Sequence, residues 1–251
     1  VTTPRFYHPE EMNPGCVVVL AEDHVHYARR VLRMRRGDRL DLIDGRGFEY
    51  HGIVHDVTQE GIWVEVLEKN PILDPSVGLT LCQSLIKADK MDFIVQRSVE
   101  LGVDTFIPFV SSRSVVRLTP EGADRKVARW RKIAAEAARQ CGRSTIPMVE
   151  PVLSYGDMLS RADGKAVKVI FWEAEPERTI RRIFRNDEGE PSPGYFFIVG
   201  PEGGFSGDEV FRAKESGFLS VSIGKRILKV ETAVLSILAI LQYEKGIFHG
   251  D

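Results

Sequence analysis

Two loops of this chain carry residue types suited to holding and turning over a small ligand. The first is GPEGG, residues 200–204, which follows the apolar run FFIV and precedes a helix start at Ser206. It sets the carboxylate of Glu202 between a proline and two glycines. Glycine admits backbone angles closed to other residues, so amides and carbonyls can approach a flat ligand closely. The spacing is that of neither a dinucleotide fingerprint nor a phosphate loop. The plainer reading is a tight turn feeding a capped helix. The second loop is SIGKRILKVETA, residues 222–233, a basic and apolar stretch where a short turn would suffice. Glu231 and Thr232 stand in it at the start of a helix. A third loop, FWEAE at residues 171–175, also follows an apolar run.

A different chemistry is written near the N-terminus. HVHYARRVLRMRRGDR, residues 24–39, gathers Arg29, Arg30, Arg33, Arg35, Arg36 and Arg39, opposed locally by Asp38. So many arginines with so little acid predict phosphate contacts; a solvated helix face is the alternative. His24 and His26 read as spectators on the same helix. No third ligand is near them in sequence, and no metal is expected.

The elements that must position these residues fall into two regions. Up to about Leu67 the pattern is one of short strands. RLDLIDGRGFEYHGIVHDV alternates around Asp44-Gly45, a hairpin signal, and GIWVEVLE is a further strand. One helix interrupts them, with Asp23 as its cap and Val25, Ala28 and Leu32 at helical spacing. This predicts a small β-barrel. EKNPILDPSVG, with Pro71 and Pro75, reads as a linker. From Leu79 strands alternate with helices: LTLCQSLI, VDTFIPFV, AVKVIFWE, GYFFIVG and LSVSIG against KMDFIVQRSVELG, DRKVARWRKIAAEAARQCG, SGDEVFRAKESG and ETAVLSILAILQYEKG. Ser206 and Glu209 form a capping box. The last helix is apolar over much of its surface and should be well buried; Met34 and Met91 read as core. Such alternation implies a mostly parallel sheet covered on both faces. Ligands of such sheets bind at the C-terminal ends of the strands, where the three loops lie.

Bulk properties set bounds. The chain has 251 residues and net charge −2, so no whole-molecule field advertises a nucleic-acid partner. Cys16, Cys82 and Cys141 have no metal-ligand or disulfide spacing and suit a reducing cytoplasm. No signal peptide is read at the start. The longest apolar stretch, AVLSILAIL, is far short of the ~20 residues of a membrane span.

The chain resembles the SPOUT methyltransferases and is most similar to the ribosomal RNA small-subunit methyltransferase E family. The residues that carry this are FIVGPEGGFS (197–206), IGKRILKVETA (223–233), KADKMDFIVQRSVELGV (87–103), SSRSVVR (111–117) and RWRKIAAEAARQCGR (129–143). RFYHPE and HYARRVLRMRRGD are similar to that family's PUA-like RNA-binding domain. Ser112 departs from the family's usual Glu, and Cys141 from its usual Ser.

The resemblance implies a trefoil-knotted α/β domain over residues 76–251, with a parallel sheet, preceded by a PUA-like β-barrel over residues 1–70. GPEGG and IGKRIL would be knot crossings forming a pocket for S-adenosylmethionine. Val199, Gly200, Pro201, Glu202, Gly203, Gly204, Ile223, Gly224, Ile227 and Leu228 would line it, with Glu173 or Glu202 facing the ribose or the sulfonium. The implied reaction is methylation of the N3 atom of a uridine in 16S ribosomal RNA near the decoding site, on the small ribosomal subunit. Its imide proton must leave, which calls for a base or a cation on the carbonyl oxygens. Arg226 and Glu231 are the candidates for cation and acid-base partner; at Glu231 the alternative is a helix-start acid facing the macrodipole. Arg97, Gln140 and Arg143 would reach the site from the second subunit of a homodimer. Rival readings keep the fold but act on transfer RNA or a ribose 2′-hydroxyl, or make the chain a non-enzymatic RNA-binding assembly factor.

Overall fold

The computed structural model describes residues 3–72, 76–162, 164, 166–184 and 194–247. Contacts divide the chain into two units, Val1–Asp74 with Ala138–Ile146, and Pro75–Ala137 with Pro147–Asp251.

The first unit is built on a curled, mixed sheet. β1 is Arg5–Tyr7 and β2 is Val17–Val19. α1, Glu22–His26, runs on into a π-helical turn, Tyr27–Val31. β3 (Arg39–Ile43), β4 (Phe48–Val57) and β5 (Ile62–Pro71) follow. The strand order is β1-β3-β4-β5-β2, with β1 parallel to β3 and the other pairs antiparallel. The hairpin read around Asp44-Gly45 is the β3–β4 pair. Asp44 anchors its turn from inside: it is 2 % exposed. It accepts from the Arg46 and Phe48 amides at 2.8 and 3.2 Å and from the Tyr50 hydroxyl at 3.0 Å. Alternation along the strands buries Leu40, Leu42, Tyr50, Val54, Val64 and Val66 in one cluster with Ala28 and Met34. Val25 and Leu32 pack against it.

Two expectations fail here. Asp23 does not cap α1: Ala21 holds that place, with no side-chain bond. The linker does not start at Glu68, because β5 pairs with β4 as far as Pro71, opposite Phe48. A proline is tolerated at a strand end. Pro75 lies outside the described residues.

The second unit alternates strands and helices as the sequence pattern predicts: β6 (Leu79–Ser84), α2 (Ala88–Glu100), β7 (Thr105–Val110), α3 (Pro120–Cys141), β8 (Met148–Val149), β9 (Leu153–Ser154), α4 (Tyr155–Leu159), β10 (Val167–Phe171), α5 (Arg181–Phe184), β11 (Tyr195–Val199), α6 (Gly207–Glu215), β12 (Leu219–Val221) and α7 (Val230–Glu244). The order is β12-β10-β11-β6-β7-β8, with β9 also on β7, and every pairing is parallel. β11 has no polar alternation because both of its faces are covered, and all five residues are buried. Phe196 and Ile198 join Tyr155, Met158, Val210 and Phe218 in one core cluster. On the other face Phe197 meets Phe171 edge-on, ring centroids 5.1 Å apart. α7 buries Val234, Ile237, Leu238 and Leu241. Its remaining apolar residues are less covered than the sequence suggests: Leu235, Ala239 and Ile240 are half-buried and Tyr243 is exposed.

Candidate functional site

β12, β10 and β11 are neighbours and parallel, so their C-terminal ends open side by side. The loop after each strand is one of the three singled out in the sequence. Together with the start of α7 they enclose a cavity of about 550 Å³, within the range of small-molecule sites. Glu173, Val199, Gly200, Pro201, Glu202, Gly203, Gly204, Ile223, Gly224, Ile227 and Leu228 all line it, as does Arg226. Glu231 stands on the first turn of α7 beside it.

The three loop glycines differ in what they permit. Gly204 has φ +66°, and a Cβ there would run into the Glu173 carboxylate. A side chain at Gly200 would meet the Phe205 ring 3.0 Å away. At Gly203 a Cβ would find the Arg113 Cβ at 3.4 Å, an ordinary contact. Only at Gly204 does the backbone angle itself call for glycine. Pro201 and Gly204 close a turn, the Gly204 amide donating to the Pro201 carbonyl at 2.9 Å. Gln83, fully buried at the end of β6, donates from Nε2 to the Gly200 carbonyl at 3.2 Å. Arg113 donates to the Gly203 carbonyl at 3.0 Å.

The helix after the loop is pinned as its sequence predicts. Ser206 and Glu209 form both bonds of the capping box. Glu209 also receives the Ser112 amide at 2.9 Å and the Ser112 hydroxyl at 2.7 Å. Burial alone would raise the Glu209 carboxyl, but the donors from Ser206 and Ser112 prevail and hold it below the ordinary carboxylate value.

Charge in the cavity converges on a residue the sequence does not single out. Lys90, on α2, places its ammonium 3.2 Å from Glu202 and 3.5 Å from Glu231. Its bond to Glu202 raises it above an ordinary lysine. The second Glu231 oxygen, Oε2, is buried with no hydrogen-bond partner. Such an orphan costs about 1–3 kcal/mol and marks a place where a donor is missing. Arg226 has no partner among the described residues and is exposed at the cavity rim. A cavity with apolar walls, several carboxylates and a free guanidinium can hold a flat, cationic ligand and still present a donor to a second molecule.

The other expected residues lie elsewhere. Arg97 is engaged with Glu100 through two contacts of 2.7 Å. Neither it nor Gln140 nor Arg143 lines the cavity. Of the N-terminal arginines, Arg30, Arg33, Arg35, Arg36 and Arg39 are exposed, and their guanidinium groups have no partner among the described residues. Asp38 is turned to the backbone, accepting from the Arg35 amide at 2.7 Å. Arg29 is partly tied, donating to the Gly61 carbonyl at 3.0 Å. His24 packs on Phe6, ring centroids 5.7 Å apart. Among the described residues no group of three or more His, Cys, Asp or Glu side chains is arranged for a metal, and no helix is long and apolar enough to cross a membrane.

Comparison with known proteins adds to this geometry. An RNA methyltransferase domain family matches residues 74–242, and an RNA methyltransferase PUA domain family matches residues 20–67. The ribosomal RNA small subunit methyltransferase E of Bacillus subtilis is 34% identical over 91% of this chain and 91% of its own length. That of Mycobacterium bovis is 30% identical over 91% of this chain and 87% of its own. Among solved structures, the ribosomal RNA small subunit methyltransferase E of Neisseria gonorrhoeae bound to S-adenosyl methionine is 35% identical, with TM-score 0.84 over 96% of this chain and 98% of that one. A putative methyltransferase from Legionella pneumophila, also with the cofactor bound, is 30% identical, with TM-score 0.86 over 97% and 98%.

Proposed function

The chain belongs to the ribosomal RNA small subunit methyltransferase E family, and from that premise we propose that it methylates 16S ribosomal RNA with S-adenosylmethionine as methyl donor. The observation that carries the reading is the cavity at the ends of β12, β10 and β11. It falls inside the segment matched by the RNA methyltransferase family. Its residues fit the donor. Glu173 and Glu202 offer acceptors to a sulfonium, an ammonium or ribose hydroxyls. Ile223, Leu228, Val230 and Ala233 offer apolar surface to an adenine. The bound donor supplies a methyl group already activated on a cationic sulfur.

The protein's part is then to position and to manage one proton. In this reading the target is the N3 atom of a uridine near the decoding site, reached on the small ribosomal subunit. Arg226 donates to a uracil carbonyl oxygen as negative charge spreads onto it. Glu231, whose Oε2 lacks a donor in the chain alone, receives the imide proton. The two ligand loops cross as a knot. Residues 76–251 carry this chemistry, and residues 1–70 grip RNA through Arg29, Arg30, Arg33, Arg35 and Arg36. The chain works in the cytoplasm as a homodimer. Leu235, Ala239 and Tyr243, four residues apart on α7 and incompletely covered, supply an apolar stripe for a second copy. Arg97, Gln140 and Arg143 of that copy complete the site.

Incubating the purified chain with labelled S-adenosylmethionine and unmodified small subunits tests the reading. Label on one uridine of 16S RNA, located by mass mapping, is the expected result. Label on transfer RNA or on a ribose would refute it.

A further inference from the structure

We propose that a cationic cleft at the start of α3 holds backbone phosphates of the RNA strand; this rests on the RNA methyltransferase reading and adds a contact surface to it. Arg117, Arg125, Lys126 and Arg129 surround a concavity of about 500 Å³ that no acidic side chain lines. Arg129 is engaged, donating to Asp92 at 2.9 and 2.7 Å. The side chains of Arg117, Arg125 and Lys126 make no hydrogen bond or ion pair with any described residue. Several other cations of this unit are treated differently, although Arg226 at the cavity rim is also open. Lys90, Arg97, Arg161 and Lys214 sit against carboxylates, and Arg131 donates to the Val149 carbonyl.

Three like charges left side by side repel one another, and a chain of net charge −2 has no general basicity to explain them. A partner with several closely spaced negative charges relieves that repulsion. A nucleic-acid backbone presents its charges in a row and can offer one to each of several cations lining the cleft. The guanidinium forks of Arg117 and Arg125 suit paired phosphate oxygens.

The cleft is also near the cavity along the chain. Arg117 follows Arg113, which holds the Gly203 carbonyl of the ligand loop. The four residue steps from Arg113 to Arg117 span at most ~14 Å. That is roughly the axial rise of four phosphates on one strand. A strand with one base at the cavity therefore meets the cleft within a few nucleotides.

The test is a salt titration of binding between the full chain and a labelled 16S RNA fragment. The variant Arg117→Ala/Arg125→Ala/Lys126→Ala should lower the slope of log K against log salt by about 2, at ~0.7 per lost single-strand contact. Affinity at low salt should fall at least about tenfold. S-adenosylmethionine affinity should stay at the wild-type level, which checks the fold. Arg117→Lys/Arg125→Lys keeps the charge and should keep most of the slope. If the triple variant does not fold, Arg125→Ala alone decides, with a loss of ~0.7 expected. A wild-type slope in the alanine variants overturns the cleft while leaving the methyltransferase reading intact. A wild-type chain that neither binds nor methylates the RNA overturns that reading first, and the cleft with it.

Discussion

The N-terminal arginine run and the cavity of the second unit handle charge in opposite ways. In the run, Arg30, Arg33, Arg35 and Arg36 reach solvent while the nearby carboxylate of Asp38 is spent on a backbone amide. Inside the cavity, whose rim carries the open Arg226, the Lys90 ammonium lies between Glu202 and Glu231, binding the ligand loop to the head of α7. Charge left open suits a large, variable and itself charged partner. Charge closed on itself fixes the position of atoms around a small one. On the proposed function the same division separates affinity for RNA from chemistry on it, and substitutions in each region should fall on different measurements.

The largest effect should come from the loop backbone. Gly204→Val forces a branched side chain into φ +66° and onto Glu173, and should abolish S-adenosylmethionine binding in calorimetry. Gly203→Ala faces only an ordinary contact, so the protein itself tolerates it. Any loss of affinity there reports how closely the ligand approaches. Full binding by Gly204→Val would return the loop to a plain turn.

Next in size is Arg226→Ala. In the proposed reaction this free donor at the cavity rim acts on the developing negative charge, so the single-turnover methyl-transfer rate should drop by ~10²–10³. Donor affinity should change little. Lys at this position should rescue only in part, lacking the planar fork. Weakened donor binding with an unaltered rate would move Arg226 from the chemistry to the pocket wall.

Arg30→Ala/Arg33→Ala should flatten the salt dependence of RNA binding by ~0.7–0.9 per contact and leave donor affinity alone. Arg29→Ala should contribute less, since its guanidinium is already donating to Gly61. An unchanged slope would make the run a solvated face.

Lys90→Met tests the closed side. With the ammonium gone, Glu202 and Glu231 repel without a mediator, and donor affinity should fall by about tenfold, close to 1.4 kcal/mol. Lys90→Arg should recover most of it. RNA salt slopes should not move in either variant.

The smallest effect is on stability. Glu209 titrates below the ordinary carboxylate value of 4.5 in the folded chain. Its stabilisation is therefore fully present above that value and is lost as pH falls through the lower, folded one. Glu209→Gln should cost about 1 kcal/mol near neutrality, and the difference from wild type should shrink in acid. A gap independent of pH would show that the capping geometry matters and the charge does not.

Much of this architecture is legible in the sequence where local rules decide it. The alternation around Asp44 gives the hairpin, Ser206 with Glu209 gives the capping box, and the unbroken apolar run of β11 gives a strand buried on both faces. Local rules also mislead. Asp23 has the right chemistry for a cap but stands at the second residue of α1, and Pro71 extends a strand that its polar neighbours disguise. In the site, the loop residues are visible through their glycines and odd composition. Lys90 is not, because its partner Glu202 is 112 residues away and only the fold brings them together. Gln83 is hidden for the same reason: a strand-end glutamine gains its meaning from the Gly200 carbonyl beside it.

The most direct measurement is methyl transfer from labelled S-adenosylmethionine to small ribosomal subunits, comparing the wild-type chain with Gly204→Val and Arg226→Ala. The expected pattern is one labelled uridine with wild type, none with Gly204→Val because the donor does not bind, and slow labelling of the same uridine with Arg226→Ala at normal donor affinity. Calorimetry that finds no S-adenosylmethionine binding to the wild-type chain, together with subunits that remain unlabelled, would contradict it.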